Sequence, residues 1–229
     1  MLDAFGLPIA ACDIARFGRH KVLVVERFDR ERYPKWLARL PQENFCQVFG
    51  MPPELKYEAQ DGPGMAGILD GLRRSDQSDL DRRRFLKAQL LFWLLAAPDG
   101  HAKNFSIRLE AGGRFHLTPL YDVMSAWPVL GNGPKFFDPK KLKLAMAVAG
   151  KNEHCLLGEI RRRHWNGAAK RNAPGQDFEP TIAEVLAAVP AAVAKVSAAL
   201  PADFPARVSD PIIQGLLRQA ELLARLPPA

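Results

Sequence analysis

Apolar positions change their spacing along this chain, and each change predicts a different element. Met1 to Ala15 is weakly apolar and broken by Gly6 and Pro8. Lys21 to Phe28 is valine-rich, lies between Gly18 and Asp29-Arg30, and predicts one β-strand. A lone strand makes no sheet, so its partner lies elsewhere in the chain or outside it. Pro41 to Phe49 predicts a short helix, with proline in its first turn and Gly50 at its end. Met51-Pro52-Pro53 stops it, and Asp61 to Gly64 is a turn cluster. Met65 to Leu72 predicts a second helix, followed by a polar loop from Arg73 to Ser78. Asp81 to Ala97 predicts the strongest helix. Its first turn is charged, but from Phe85 the apolar residues Phe85, Leu86, Leu90, Leu91, Phe92, Trp93, Leu94 and Leu95 leave almost no polar face. A helix apolar all round is buried on all sides, so this one is the expected core helix.

Ala97 to Asn104 reads as a loop. Phe105–Glu110 and Arg114–Leu120 alternate apolar and polar residues around Ala111-Gly112-Gly113, which predicts a β-hairpin with a three-residue turn. The remainder reads as helical. One segment opens at Asp138-Pro139 and another includes Leu156 to Trp165. Thr181 and Glu184 fit a capping box after Pro180, with Pro190 kinking or ending that helix. A final helix follows Ser209-Asp210-Pro211, with Ile212, Ile213, Leu216, Leu217, Ala220, Leu223 and Leu226 as its apolar positions. Asn172 to Asp177 reads as a flexible loop, and no internal repeat stands out. The expected fold class is mainly α with a small β component (α+β).

Composition narrows the class. The 229 residues are 48% hydrophobic and 25% charged, close to the globular norm, which excludes collagen-like and fully disordered chains. The formal net charge of +7 suits an anionic partner, whether nucleotide, nucleic acid or acidic protein surface, without choosing among them. The runs Arg73-Arg74, Arg82–Arg84 and Arg161–Arg163 read as solvated helix faces, and no nucleic-acid recognition motif accompanies them. Cys12, Cys46 and Cys155 are odd in number and far apart, the usage of reduced, buried thiols in the cytosol. No basic-then-apolar leader opens the chain. The strongly apolar run Leu90–Ala97 falls far short of the roughly 20 residues that span a bilayer. A cytoplasmic protein with no membrane partner is the expectation.

Candidate chemistry lies between Asp99 and Asp122. If Glu110 pairs with Arg114, continuing that register sets Leu120 opposite Asn104 and Asp122 beside Ala102. Asp99, Asn104 and Asp122 then converge as hard oxygen donors suited to Mg²⁺. The spacing D-x-x-x-x-N is that of the protein-kinase catalytic loop, where the Asp accepts the proton of the substrate hydroxyl and the Asn holds metal. A second Asp after a hairpin matches the metal-bridging Asp, here in Tyr-Asp-Val rather than Asp-Phe-Gly. Lys103 lies where it can neutralise a transferred phosphate. On spacing alone, the plainer reading has Asp99 ending a helix and Asn104 capping a turn. The buried helix before and the hairpin after favour the kinase reading.

Asp99–Ser106 (DGHAKNFS), Leu117–Val123 (LTPLYDV) and Ser125–Pro128 (SAWP) resemble the signature of HipA-type serine/threonine kinases, the toxins of HipA–HipB toxin–antitoxin modules. Val25–Arg30, Leu40–Glu43, Lys56–Glu58, Gly62–Gly64 and Lys143–Met146 match as well, so the resemblance covers nearly the whole chain. It implies a kinase-like fold using ATP and Mg²⁺, with Asp99 as catalytic base and Asn104 and Asp122 as the metal holders. It further implies that His101, Ala102, Lys103, Asn104, Tyr121 and Asp122 line the nucleotide. Glu26, Arg27 and Phe28 become the hinge whose backbone meets the adenine edge; spacing alone reads them as a strand end. Members of this family carry a small domain and an N-lobe before the hinge, with a phosphate-covering loop and a strand lysine. Lys21 is too close to the hinge to be that lysine. The resemblance therefore divides the chain into an N-lobe remnant with hinge strand, residues 1–30, and a helical C-lobe, residues 31–229, with the N-lobe largely missing. It implies a protein substrate, a glutamyl-tRNA synthetase in the family. It also implies a helix-turn-helix antitoxin of HipB type as partner, through which DNA is reached only indirectly. The alternative is a catalytically inactive C-lobe remnant or split-kinase subunit that acts by binding.

Overall fold

The computed structural model describes residues 1–149, 152–172 and 177–227. The strand expected near residue 21 is present, but it is not alone. β1 (Cys12–Phe17) and β2 (His20–Val25) form an antiparallel hairpin with Phe17 opposite His20 and Cys12 opposite Val25. Gly18, at φ +58°, makes the turn. The partner escaped the sequence reading because Cys-Asp-Ile-Ala-Arg-Phe alternates only weakly. β2 also stops at Val25, leaving Glu26 to Phe28 outside it.

After the short hairpin of β3 (Arg30–Arg32) and β4 (Leu37–Arg39), the chain corrects another expectation. Gln42–Asn44 is not helical but a strand, β5. It joins β6 (Ser106–Leu109) and β7 (Phe115–Leu117) in a sheet of order β5-β6-β7. Only Phe45–Val48 is helix (α1), and a capping box starts it. The Asn44 side chain accepts from the Gln47 N–H at 3.1 Å while the Asn44 N–H donates to Gln47 Oε1 at 3.0 Å.

Helix α2 spans Met65–Gly71 and the core helix α3 spans Ser78–Leu94. As its all-round apolar pattern predicts, α3 is buried at every position from Phe85 to Leu94, including Lys87 and Gln89. The Lys87 ammonium is satisfied by the Phe5 carbonyl and the Glu184 carboxylate, each at 2.6 Å. Its first turn carries a buried carboxylate that the sequence did not single out. Asp81 Oδ2 accepts from Ser75 Oγ at 2.5 Å and from the Leu117 N–H at 2.9 Å, pinning β7 to α3.

The second half is less helical than expected. Lys143–Ala149 (β8) and Glu153–Leu156 (β9) form a hairpin, because alanines interleaved among Leu144, Met146 and Val148 hide a two-residue period. Helices α4 (Arg162–Asn172), α5 (Glu179–Ala199) and α6 (Ala206–Arg225) follow. Helix α5 begins at Glu179, so Thr181 and Glu184 do not cap it, and it runs on past Pro190. Helix α6 starts upstream of the expected cap and contains Pro211. Of the loop expected at Asn172–Asp177, residues 173–176 lie outside the described residues. Among the described residues α5 alone is long and apolar enough to cross a membrane by length and composition, an 18-residue stretch of it reaching a mean hydropathy of 1.6. Much of that value is alanine, and the stripe Ile182, Val185, Val189 and Ala192 faces the core. One hydrophobic cluster joins Leu2, Phe5 and Leu7 to α2, α3, α4, α5 and α6. The architecture is α+β, with a buried helix delivering a loop and a hairpin to one edge.

Candidate active site

The loop after α3 is closed on itself. Ala96, at φ +47°, turns the chain off the helix. The Asp99 carbonyl then accepts from the His101 N–H at 2.9 Å and from Asn104 Nδ2 at 2.7 Å, while the Asn104 N–H returns to the His101 carbonyl at 2.9 Å. Gly100 packs against the Cδ2–Cε2 edge of the Phe92 ring of the core helix. A Cβ there would come within 2.4 Å of the ring, so glycine is what lets the loop lie on the core. Ala102 is fully buried, and its N–H points to the Lys56 carbonyl at 3.4 Å.

The hairpin that follows has the expected register. Ile107 faces Leu117, Arg108 faces His116, Leu109 faces Phe115, and the Glu110 N–H donates to the Arg114 carbonyl at 2.8 Å. Gly112 and Gly113 hold the turn at φ +78° and +75°. The ladder does not extend as far as expected, however. Beyond the bond from the Thr118 N–H to the Ser106 carbonyl, β7 departs and Leu120 bridges Ile9 instead of facing Asn104. The return to the loop is made by side chains. The Tyr121 hydroxyl meets Ser106 Oγ and donates to the Lys103 carbonyl at 3.0 Å. Ser125 Oγ donates to the Leu95 carbonyl at 2.6 Å, the Ala126 N–H to the Ala96 carbonyl at 2.8 Å, and Trp127 Nε1 to the Leu94 carbonyl at 3.1 Å. Asp122 is thus bracketed between an anchor on the Asn104 end of the loop and another on its Asp99 end. It is exposed and takes φ +55°, a left-handed backbone uncommon outside glycine.

The segment after β2 reaches the same place. The Phe28 and Tyr121 rings lie 5.5 Å apart. Asp29, 2% exposed, fixes the approach, because Arg27 grips its carboxylate through Nε at 2.6 Å and Nη2 at 2.5 Å and Arg30 adds Nη1 at 2.5 Å. The hydrogen-bonded Arg27 guanidinium holds the Asp29 carboxyl below the usual range. The Arg27 side chain is therefore structural, and the Glu26 N–H is committed to the Ala11 carbonyl at 2.8 Å.

Two further groups stand around Asp99: Tyr57, which the sequence showed only within the Lys56–Glu58 match, and His101, expected along the nucleotide. The Tyr57 hydroxyl donates to Asp99 Oδ1 at 2.6 Å, and this bond, with burial added, pushes the phenol up to about 12. His101 Nε2 stands 3.7 Å from the same oxygen, and burial holds the imidazole below its ordinary value. The donor chemistry suits a hard cation. Asn104 Nδ2 is committed to the Asp99 carbonyl, which leaves its oxygen as the uncommitted atom. The exposed Asp122 carboxylate supplies the charge.

The HipA-like C-terminal domain family matches residues 1–193 of the chain. The protein named "Putative kinase Y4mE" of Sinorhizobium fredii is 33% identical over 176 residues, covering 75% of this chain and 39% of its own length. The serine/threonine-protein kinase toxin HipA of Shewanella oneidensis is 30% identical over 161 residues, covering 65% of this chain and 35% of its own. Among solved structures, the HipA chain from the Shewanella oneidensis complex of HipA, HipB and operator DNA superposes with a TM-score of 0.80 at 24% identity. It covers 96% of this chain and 52% of that one. The chain spans about half of that HipA chain and less of the two relatives. It belongs to the HipA-like C-terminal domain family, and its kinship is with kinases.

Proposed function

We propose that this HipA-like chain carries the phosphoryl-transfer half of an ATP-dependent serine/threonine protein kinase. In this reading residues 1–30 supply the last strand of the nucleotide-covering lobe and the hinge, and residues 31–229 the helical lobe. The observation that carries the reading is the self-closed Asp99–Asn104 loop with Asp122 bracketed between anchors on its two ends. A left-handed backbone at an exposed carboxylate beside such a loop is the kind of strain that clusters at functional sites.

Phosphoryl transfer asks mainly for position and charge. The acceptor serine oxygen forms a bond to the γ-phosphorus, the bond to the ADP oxygen breaks, and the serine proton passes to the Asp99 carboxylate. Asn104 and Asp122 are the residues to hold Mg²⁺, which when bound neutralises phosphate charge. Lys103 stands beside the phosphates. Phe28 and Tyr121 offer apolar ring faces to the adenine, His101 and the Ala102 backbone close the floor, and the hinge contacts fall to the Glu26 carbonyl and the Phe28 N–H. A cytoplasmic setting, a glutamyl-tRNA synthetase as acceptor and a helix-turn-helix antitoxin of HipB type as partner complete the proposal. The support for the antitoxin is the likeness to a HipA solved with HipB and operator DNA, and the net charge of +7 suits an acidic partner surface.

The test is transfer of labelled γ-phosphate to a glutamyl-tRNA synthetase with Mg²⁺ present. Replacing Asp99 by Asn lowers the rate by about 10²–10⁴-fold, the range of a positioned general base. Equal labelling by both forms overturns the reading and leaves binding without catalysis.

A further inference from the structure

The Tyr57–Asp99 contact has no part in the roles assigned so far. We propose that Tyr57 is a positioning residue for the transfer, its hydroxyl holding one oxygen of the Asp99 carboxylate so that the other is presented to the acceptor hydroxyl. The inference rests on the reading of Asp99 as the base.

The contact is a built one. Tyr57 lies between neighbours that are tied down separately. The Lys56 carbonyl faces the Ala102 N–H, and the Tyr57 carbonyl accepts from the Gly62 N–H at 3.0 Å. Glu58 Oε2 accepts from the Ala147 N–H of β8 at 2.5 Å. Glu58 also fills the space beside Gly64, where a Cβ would fall 1.7 Å from Oε1. The ring itself meets His101 edge-on at 5.1 Å and carries the Lys56 ammonium 4.9 Å from its centroid. A hydroxyl serving as a removable plug over the base would have to break this clamp at every turnover. A fixed donor is what the clamp provides.

The carboxylate fits the same account. Oδ1 receives the tyrosine, and among the described residues Oδ2 has no hydrogen-bond partner. The Asp99 side chain is 39% exposed, so a substrate can reach it. His101 at 3.7 Å is too far to orient it alone. With its phenol pushed up to about 12, Tyr57 stays a donor at any working pH and never competes for the proton.

Tyr57→Phe keeps the ring packing and removes only the donor. The expected result at neutral pH is a kcat about tenfold lower, with the KM for ATP within about twofold of wild type, a fraction of a full base's share. An unchanged or raised kcat overturns the proposal, a rise being the mark of a blocking hydroxyl. Asp99→Asn measured alongside separates the two readings: full activity there sinks the assignment of Asp99 itself. A second measurement needs no turnover. Titration of the ¹³Cζ-labelled tyrosines, with Tyr57 identified by its absence in Tyr57→Phe, places its midpoint near 12 in the wild type. In Asp99→Asn it falls toward the ordinary value of about 10. A wild-type midpoint already at the ordinary value overturns the proposal as well.

Discussion

Two β-hairpins in this chain share a design and differ in everything around it. Both are antiparallel, and both turn through glycines at positive φ. The β6–β7 hairpin has β5 on one edge, the core helix beneath it and a buried carboxylate bonded to its backbone. The β1–β2 hairpin stands outward. Phe17 is 64% exposed and Leu23 67%, with Val24 and Val25 also in solvent. Strand pairing is thus not what makes a hairpin part of a rigid site. The inner one is over-determined in position, and the segment that leaves it is anchored to the Asp99 loop through Tyr121 and Ser125. The outer one is a ribbon of marginal stability by itself, and its task in the proposed reading is to lead the chain to Phe28. The predictions below test how far that contrast holds.

The largest effect is expected at Asp81. Replacing it by Ala leaves the Leu117 N–H and the Ser75 hydroxyl without their acceptor in the buried interior. Orphaned buried groups of this kind cost on the order of 3 kcal/mol together. Urea denaturation reads the loss as a lower midpoint, and in the proposed reading phosphotransfer falls with it, because the segment leaving β7 carries Asp122. A loss below about 1 kcal/mol erases the distinction between the hairpins.

The β8–β9 hairpin is an intermediate case, and pH exposes it. His154 of β9 stacks on His164 of α4 with ring centroids 3.7 Å apart, and His164 Nδ1 accepts from the Arg161 N–H at 3.1 Å. Burial first, then His154, Arg163 and Arg161, lower His164 to about 4. The folded form therefore binds its proton later than the unfolded chain, whose ordinary value is about 6.5. The resulting stability is complete above about pH 6.5 and drains away as pH falls toward 4, by on the order of 2–3 kcal/mol. His164→Asn, which keeps an acceptor for Arg161, flattens the slope of unfolding free energy against pH across that window. A wild-type slope equal to the variant's removes the histidine pair from the account.

A smaller effect is expected at Ser106, buried on β6 and bonded to the Tyr121 hydroxyl. Ser106→Ala costs about 1 kcal/mol, because Tyr121 keeps its bond to the Lys103 carbonyl. In the proposed reading the same variant weakens ATP binding slightly by loosening the Phe28–Tyr121 wall, which fluorescence titration detects. A change beyond tenfold in affinity would mean that Ser106 touches the nucleotide itself.

The same contrast explains what could be read from the residues. The core helix and the β6–β7 register were legible because a long, nearly unbroken apolar run and a Gly-Gly turn specify them locally. Asp99 and Asn104 were legible as a spacing, and the likeness to HipA-type kinases sharpened it. The remainder depended on contacts distant in sequence. β1 was hidden by weak alternation, and β8 by alanines that carry no period. β5 was obscured by the capping box beginning at its own last residue, Asn44. The route of Asp122 back to the loop rests on the Tyr121 hydroxyl and Ser125 rather than on the strand register that predicted it. Tyr57 lies 42 residues from the carboxylate it holds, and no local pattern marks such a bond.

The smallest effect is expected on the outer hairpin, and its smallness is the point. Leu23→Ser exchanges a side chain that already faces water, so unfolding free energy changes by no more than about 0.5 kcal/mol. The companion variant Lys21→Ala removes an ion pair to Asp203 on the surface, where a pair of exposed charges contributes little to folding. If the β1–β2 ribbon is simply a lead to the hinge, both variants keep the wild-type urea midpoint and the wild-type spacing between Phe28 and Tyr121. That spacing is readable as an unchanged nuclear Overhauser contact between the two rings. A midpoint lowered by either variant as much as by Ser106→Ala would show that the ribbon is braced as firmly as its inner counterpart. The nucleotide side of the site would then be pre-built on both flanks rather than one.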